Sequence, residues 1–203
     1  MKSKAQNKKA NVWIGVLVTL GIILLVAVML GGWVISNYNT LVQKDVNVEN
    51  QWGKVQSAYE RRLDLLPNLA ATVKGSANFE KDTLTAVAQA RGGIRVANNP
   101  AQLEAANAPV MSMMAGMMTY VEQYPQLKST EAFRALMDEI AGTENRIKWE
   151  RDIYNDGVKD YKKQVRSFPS ILFAGMFGFE QAKWSMFQSE INATVAPKLD
   201  FSK

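Results

Sequence analysis

The sequence predicts an all-α protein: an N-terminal transmembrane helix followed by an antiparallel up-and-down four-helix bundle with long helices. Three observations carry this. Residues 11–36 contain no charged side chain. Residues 133–168 hold core-type positions at an unbroken four–three spacing, the mark of a long amphipathic helix packed along its length. No segment sustains period-two alternation, so no sheet is expected.

The first element is a short basic tail, residues 1–11, with Lys2, Lys4, Lys8 and Lys9 and no acid. It precedes a span at 12–35. A helix of that length reaches about 36 Å, enough for a hydrocarbon core of about 30 Å. Trp13 and Trp33 bracket the span, placed as interfacial aromatics are. A cleaved signal peptide has a shorter apolar region and a small-residue cleavage site. The run Gly31-Gly32-Trp33-Val34 is a poor match to such a site. The lysines before the span put the N-terminus in the cytosol and the rest outside it, by the positive-inside rule. The expected arrangement is a single crossing by an uncleaved signal anchor. Ala27 and Gly31 make a small-xxx-small pair, common by chance.

Residues 36–169 read as the bundle, with helices expected at about 37–65, 67–92, 102–123 and 130–167. The first carries the stripe Tyr38, Leu41, Asp45, Val48, Trp52, Val55, Tyr59, Arg62, Leu66. Pro67 is expected to end it or open the next, since proline suits a first helical position. Leu69, Val73, Leu84 and Val87 continue an apolar face. Arg91-Gly92-Gly93 and Asn98-Asn99-Pro100 punctuate the chain. Pro109 lies inside the third helix, and Tyr124-Pro125 closes it. The fourth is capped by Ser129 or Thr130 and ends at Phe168-Pro169. Its stripe is Phe133, Met137, Ile140, Glu144, Ile147, Arg151, Tyr154, Val158, Tyr161, Val165, Phe168. Short connections favour antiparallel neighbours. Residues 170–203 form an apolar tail that packs on the bundle as a cap or on the membrane surface. The cap is favoured, because residues 170–187 have little cationic character.

Composition removes whole classes of function. The chain has 203 residues, no Cys and no His. That rules out thiolate chemistry, His-ligated metals and His-based triads within this chain. The formal charge of +5 sits mainly in the tail; beyond it the chain holds 20 bases against 19 acids. No basic domain face for nucleic acid is expected.

Motifs spread along the chain carry a resemblance. Tyr38-Asn39-x-Leu41-Val42 follows the span, then Arg61-Arg62-x-Asp64-Leu65-x-Pro67-Asn68-Leu69 and Val73-Lys74-Gly75. Ala90-Arg91, Glu122-x-Tyr124-Pro125-x-Leu127-Lys128 and Thr143-Glu144-Asn145-Arg146-Ile147 come next. Arg151-x-x-Tyr154-Asn155-x-x-Val158, Phe168-Pro169 and Gly178-Phe179 complete the series. In this order the set closely resembles the LemA family of bacterial membrane-anchored proteins, over residues 36 to about 187. Phe79 and Lys162 depart from residues common in the family, as does the methionine-rich stretch. The resemblance implies one N-terminal span and an antiparallel helical bundle. It implies membrane association and no catalytic activity; one subgroup is linked to building bacterial organelle membranes.

Candidate residues fall into three sets. Arg62, Glu144 and Arg151 occupy core-facing slots, where charges are costly unless paired. They are expected to form a buried polar network that fixes helix register, with Glu144 meeting Arg62, or meeting Arg151 through a third group. Met111, Met113, Met114, Met117 and Met118 are thioether donors of the kind that bind Cu(I), but Met113 and Met117 lie on the apolar stripe, which favours core packing. Trp149 falls off the stripe of its helix, either as a partner contact or beneath the tail; Phe173 and Phe177 join it as candidate contacts. The sequon Asn192-Ala193-Thr194 matters only in a eukaryotic secretory pathway. No cofactor is expected. The function these residues favour is a membrane-anchored scaffold or adaptor. Its partners are the lipid bilayer and a protein, or a second copy of the chain. Membrane shaping by self-association is the alternative, and a hydrolase without His or Cys a remote one.

Overall fold

One helix runs from the apolar N-terminal stretch into the bundle without a break. In the computed structural model, which describes residues 3–73 and 77–188, α1 spans Ser3–Thr72. Its apolar stretch is the one helix among the described residues long and apolar enough to cross a membrane, and none of the described residues buries it. The same helix then buries Leu41, Val48, Trp52, Val55, Tyr59, Leu63 and Leu66. Pro67 does not end it, contrary to expectation. A proline costs a helix one N–H bond. Leu66, Leu69 and Ala70 around it are all buried, and that packing holds the last turn.

The other helices follow in chain order: α2 at Ala77–Val96, α3 at Pro100–Gln123, the short α4 at Pro125–Lys128, and α5 at Glu131–Arg166. Three 3-10 turns, Ser170–Leu172, Gly175–Phe177 and Gln181–Lys183, complete the described chain. Among the described residues there is no strand.

Cross-helix contacts give the topology. Asp64 pairs with Arg91 and Glu60 with Arg95, so α1 and α2 are antiparallel. Lys44 pairs with Asp160 and Arg62 with Glu144, so α1 and α5 are antiparallel too. The helix α1 lies between α5 and α2, and α3 packs on α2. This is the expected up-and-down bundle.

A second local expectation changes. The helix α2 runs through Gly92-Gly93 rather than stopping there. Its glycine serves packing: a Cβ on Gly93 would lie 2.6 Å from the Ala106 Cβ on α3. Beyond it, Asn98-Asn99-Pro100 punctuates the chain as expected. The Asn99 side chain accepts from the Gln102 N–H at 3.0 Å, and Gln102 Oε1 accepts from the Asn98 N–H at 3.0 Å. This reciprocal cap fixes the start of α3, with Pro100 in its first turn. The helix passes through Pro109.

The buried seam of α5 is Phe133, Ile140, Thr143, Ile147, Glu150, Tyr154, Gly157, Val158, Tyr161 and Val165. A strict four–three register places 144 and 151 inward. At about 100° per residue, positions 143 and 150 flank the Ile140–Ile147–Tyr154 line on one side, and 144 and 151 on the other. In α5 the side that is buried is that of Thr143 and Glu150. Glu144 is exposed and Arg151 half-buried. The expectation that Glu144 and Arg151 face the core is corrected accordingly. Phe168, the last position of the stripe, is also exposed.

After Arg166 the chain folds back over α5 and α1. Ser170, Ala174, Phe179 and Phe187 are buried. Tyr161 O–H donates to the Glu180 carbonyl at 3.1 Å, and Tyr154 O–H to the Ser185 carbonyl at 2.9 Å. Residues 170–188 thus cap the bundle; the remainder of the tail, with the sequon at 192–194, lies outside the described residues, as do the side chains of the basic tail.

Candidate functional site

On the face where α1, α3 and α5 meet, the buried Arg62 is the organising group. Its Nη1 donates to Glu144 Oε2 on α5, and its Nη2 to Asn107 Oδ1 on α3. Its guanidinium lies 5.3 Å from the Tyr59 ring centroid. Its Nε has no partner among the described residues. Burial pushes the Tyr59 phenol up, against the lowering charges of Arg151 and Arg62. Arg151 does not join Glu144; it donates to Glu104 Oε1 at 2.8 Å and lies over the Phe187 ring at 4.4 Å. The three charges singled out from the sequence therefore form two neighbouring pairs, Arg62 with Glu144 and Arg151 with Glu104. Both pairs link helices distant in sequence, which is chemistry for fixing register.

Sequence reasoning missed the opposite face. There Glu150 is 2% exposed. One carboxylate oxygen accepts from Arg146 at 2.6 Å; the other, Oε2, is buried with no partner among the described residues. Lys54 and Arg61 from α1 and Glu139 from α5 help line the groove of about 590 Å³ beside it. On a helix of about 3.6 residues per turn, positions 150 and 151 flank the Ile147 line at about 60° on one side and about 40° on the other, so spacing alone does not select Glu150.

Trp149 stands next to that groove, 51% exposed, so the described part of the tail, 170–188, does not bury it. The Arg146 guanidinium lies 4.6 Å from its ring centroid. Arg146 thereby joins the buried carboxylate to an exposed indole. An exposed aromatic with a held guanidinium is the composition of an interface anchor.

The tail has a recognition pocket of its own. Asn155 Oδ1 accepts from the Phe187 N–H at 2.8 Å, while its Nδ2 donates to the Phe187 carbonyl at 3.1 Å. The Phe187 ring stacks on Trp52 at 6.0 Å and meets Tyr154 edge-on at 5.6 Å. Phe173 is half-buried against the core, and Phe177 is exposed, edge-on to Tyr38 at 5.1 Å. Trp184 Nε1 and Lys183 Nζ both donate to Asp45, at 2.8 and 2.6 Å.

Trp13 and Trp33, expected to bracket a span, are both exposed on α1. Among the methionines, Met117 is buried, while Met113, Met114 and Met118 pack against the core and Met111 is exposed. Met113 Sδ accepts from the Thr83 hydroxyl at 3.4 Å. Packing accounts for most of this stretch.

A family model described as the LemA family matches residues 51–201. Over 68 residues the chain is 29% identical to magnetosome protein MamQ 1 and to magnetosome protein MamQ 2 of Paramagnetospirillum magneticum. That match covers 34% of this chain and 25% of each relative. Over 138 residues it is 24% identical to protein LemA of Metamycoplasma hominis, covering 66% of this chain and 62% of that protein. The matches thus span from a quarter to somewhat under two thirds of these relatives' own length.

Proposed function

This chain belongs to the LemA family, and we propose that it works as a membrane-anchored scaffold or adaptor of the bacterial envelope, without catalysis. The observation that carries the reading is the continuity of α1 from the apolar span into the core of the bundle. A flexible linker lets a tethered domain roam; an unbroken helix holds it upright. The 37 residues from 36 to 72 hold the far end of the bundle at about 55 Å from the span, at about 1.5 Å per residue. Confinement near the bilayer raises the effective concentration of the bundle for neighbouring proteins. The lysines before the span support a cytosolic N-terminus and a bundle on the extracytoplasmic side, with one crossing.

In this reading Trp149 and Arg146 meet the protein partner, and the Arg62–Glu144 pair keeps α1, α3 and α5 in register behind it. Cross-linking with mass spectrometry in native membranes tests this. Discrete partners should cross-link at Lys54 and Lys148, flanking Trp149, and Trp149→Ala should remove them. Cross-links joining only copies of this chain would contradict an adaptor. They would favour the second reading, membrane shaping by self-association, which the likeness to magnetosome proteins motivates.

A further inference from the structure

The antiparallel pairing of α1 with α5 has a geometric consequence at the membrane end. Arg62 lies opposite Glu144 and Lys44 opposite Asp160. Continuing that register brings the end of α5 to the outer bracket of the span. There the Trp33 and Phe168 rings lie 6.3 Å apart, and Tyr38 meets Phe177. The turns that follow are two-faced. Ser170, Ala174 and Phe179 face the bundle and are buried. Phe168, Ile171, Leu172, Met176 and Phe177 face away and are exposed, Met176 at 84%. An uncovered apolar cluster of this kind marks a contact surface.

What covers it is indicated by its neighbours. The cluster is continuous, through Trp33 and Phe168, with the surface of the span itself. Beside it, Lys159, Lys162, Lys163 and Arg166 line one groove near the end of α5. Of these, Lys159 is paired with Asp156. Asp160, the acid within this run, is engaged by Lys44, whose hydrogen bond and charge hold its carboxyl below the usual range. Residues 159–188 carry five cations and two acids. Apolar side chains flanked by lysine and arginine at the depth of an interfacial Trp are the composition of a surface that enters the headgroup region of an anionic bilayer.

We infer that residues 168–177 are a second membrane contact, a hook whose apolar face enters the leaflet at the outer end of the span while Lys162, Lys163 and Arg166 hold anionic phospholipid headgroups. The inference rests on the reading of residues 12–35 as a span. The hook gives the bundle two footholds on one leaflet and fixes which face of it meets the membrane.

The chain has no Cys, so single nitroxide labels report unambiguously. Labels on Leu24→Cys in the span, Leu172→Cys and Met176→Cys in the hook, and Lys148→Cys on the bundle are read in full-length protein. The protein is reconstituted in vesicles containing phosphatidylglycerol and in vesicles of phosphatidylcholine alone. Collision rates with oxygen and with a water-soluble nickel chelate give depth. The 172 and 176 labels should be shielded from nickel in the anionic vesicles, as the 24 label is, while the 148 label stays in water. Water-like values at 172 and 176 with label 24 in lipid would overturn the hook alone. A water-exposed label 24 would overturn the span, and the hook with it. Equal shielding in the two lipids would overturn the headgroup contact. The triple variant Lys162→Glu, Lys163→Glu, Arg166→Glu checks it further. Each cation near an anionic surface contributes roughly fivefold to its occupancy. The variant should therefore release both hook labels into water in anionic vesicles; unchanged shielding would contradict the assigned role of these cations.

Discussion

Removing either end of the Arg62–Glu144 pair should have unequal effects, because the partners differ in burial. Arg62 is 1% exposed whereas the Glu144 side chain is 59% exposed. Glu144→Gln leaves a buried guanidinium with a weaker acceptor, and should cost about 1–3 kcal/mol. Arg62→Met removes the buried charge and leaves Glu144 to water, and should be neutral or stabilising. Chemical denaturation of the full-length protein in detergent, followed by circular dichroism, compares the two. Two tyrosines give a pH signature. Burial pushes the phenols of Tyr154 and Tyr161 up to about 12, with the Asp45 and Glu180 charges adding to the shift at Tyr161. The unfolded phenol ionises near pH 10. The folded state therefore holds more protons between those values, and stability present below pH 10 should be lost as pH rises towards about 12. Absorbance at 295 nm should show these two phenols titrating together with loss of helicity, after the exposed ones. At this scale the sequence revealed Arg62, because it lies on the stripe that α1 keeps. It concealed Glu150, because a strict heptad assigned its inward slot to Arg151.

The elements differ in how much their glycines and prolines mean. Gly93→Val should destabilise the protein by about 1–3 kcal/mol, since even a Cβ there collides with Ala106. Gly92→Ala has open space around its Cβ and should stabilise α2 by roughly 0.5–1 kcal/mol. Thermal melts of the two variants check the contrast; equal effects would deny that α2 and α3 approach at Gly93. The tail is a separable element. Phe187→Ala removes the ring held by Trp52, Tyr154 and Arg151, at a cost of about 3–5 kcal/mol to that contact. Hydrogen exchange should quicken over 179–188 and stay slow in α1 and α5. Helix existence and order were legible from apolar spacing, and the Asn99 cap from its residue types. Two breaks read at Pro67 and Gly92-Gly93 were absent, because packing of Leu66, Leu69 and Ala70 overrides a missing N–H, and a glycine pair serves close helix approach as readily as a turn.

For the whole molecule, the charge that first suggests a basic protein resolves into two patches of different meaning. The lysines before the span are local in sequence and readable there. The cations at the end of α5 are not, because only the antiparallel fold sets them beside the exposed turns after Phe168 and beside Trp33. Residues 170–187 read alone carry little cationic character; folded, they lie next to Lys162, Lys163 and Arg166. A single helix organises this arrangement by joining the apolar N-terminal stretch to the bundle. Its continuity is tested by the distance between nitroxides on Leu30→Cys in the span and Lys54→Cys in the bundle, measured by pulsed electron resonance in lipid nanodiscs. Twenty-four residues of unbroken helix predict one narrow distribution, with a backbone separation of about 36 Å. A broad or markedly shorter distribution would reveal a hinge between span and bundle, and would contradict the upright scaffold.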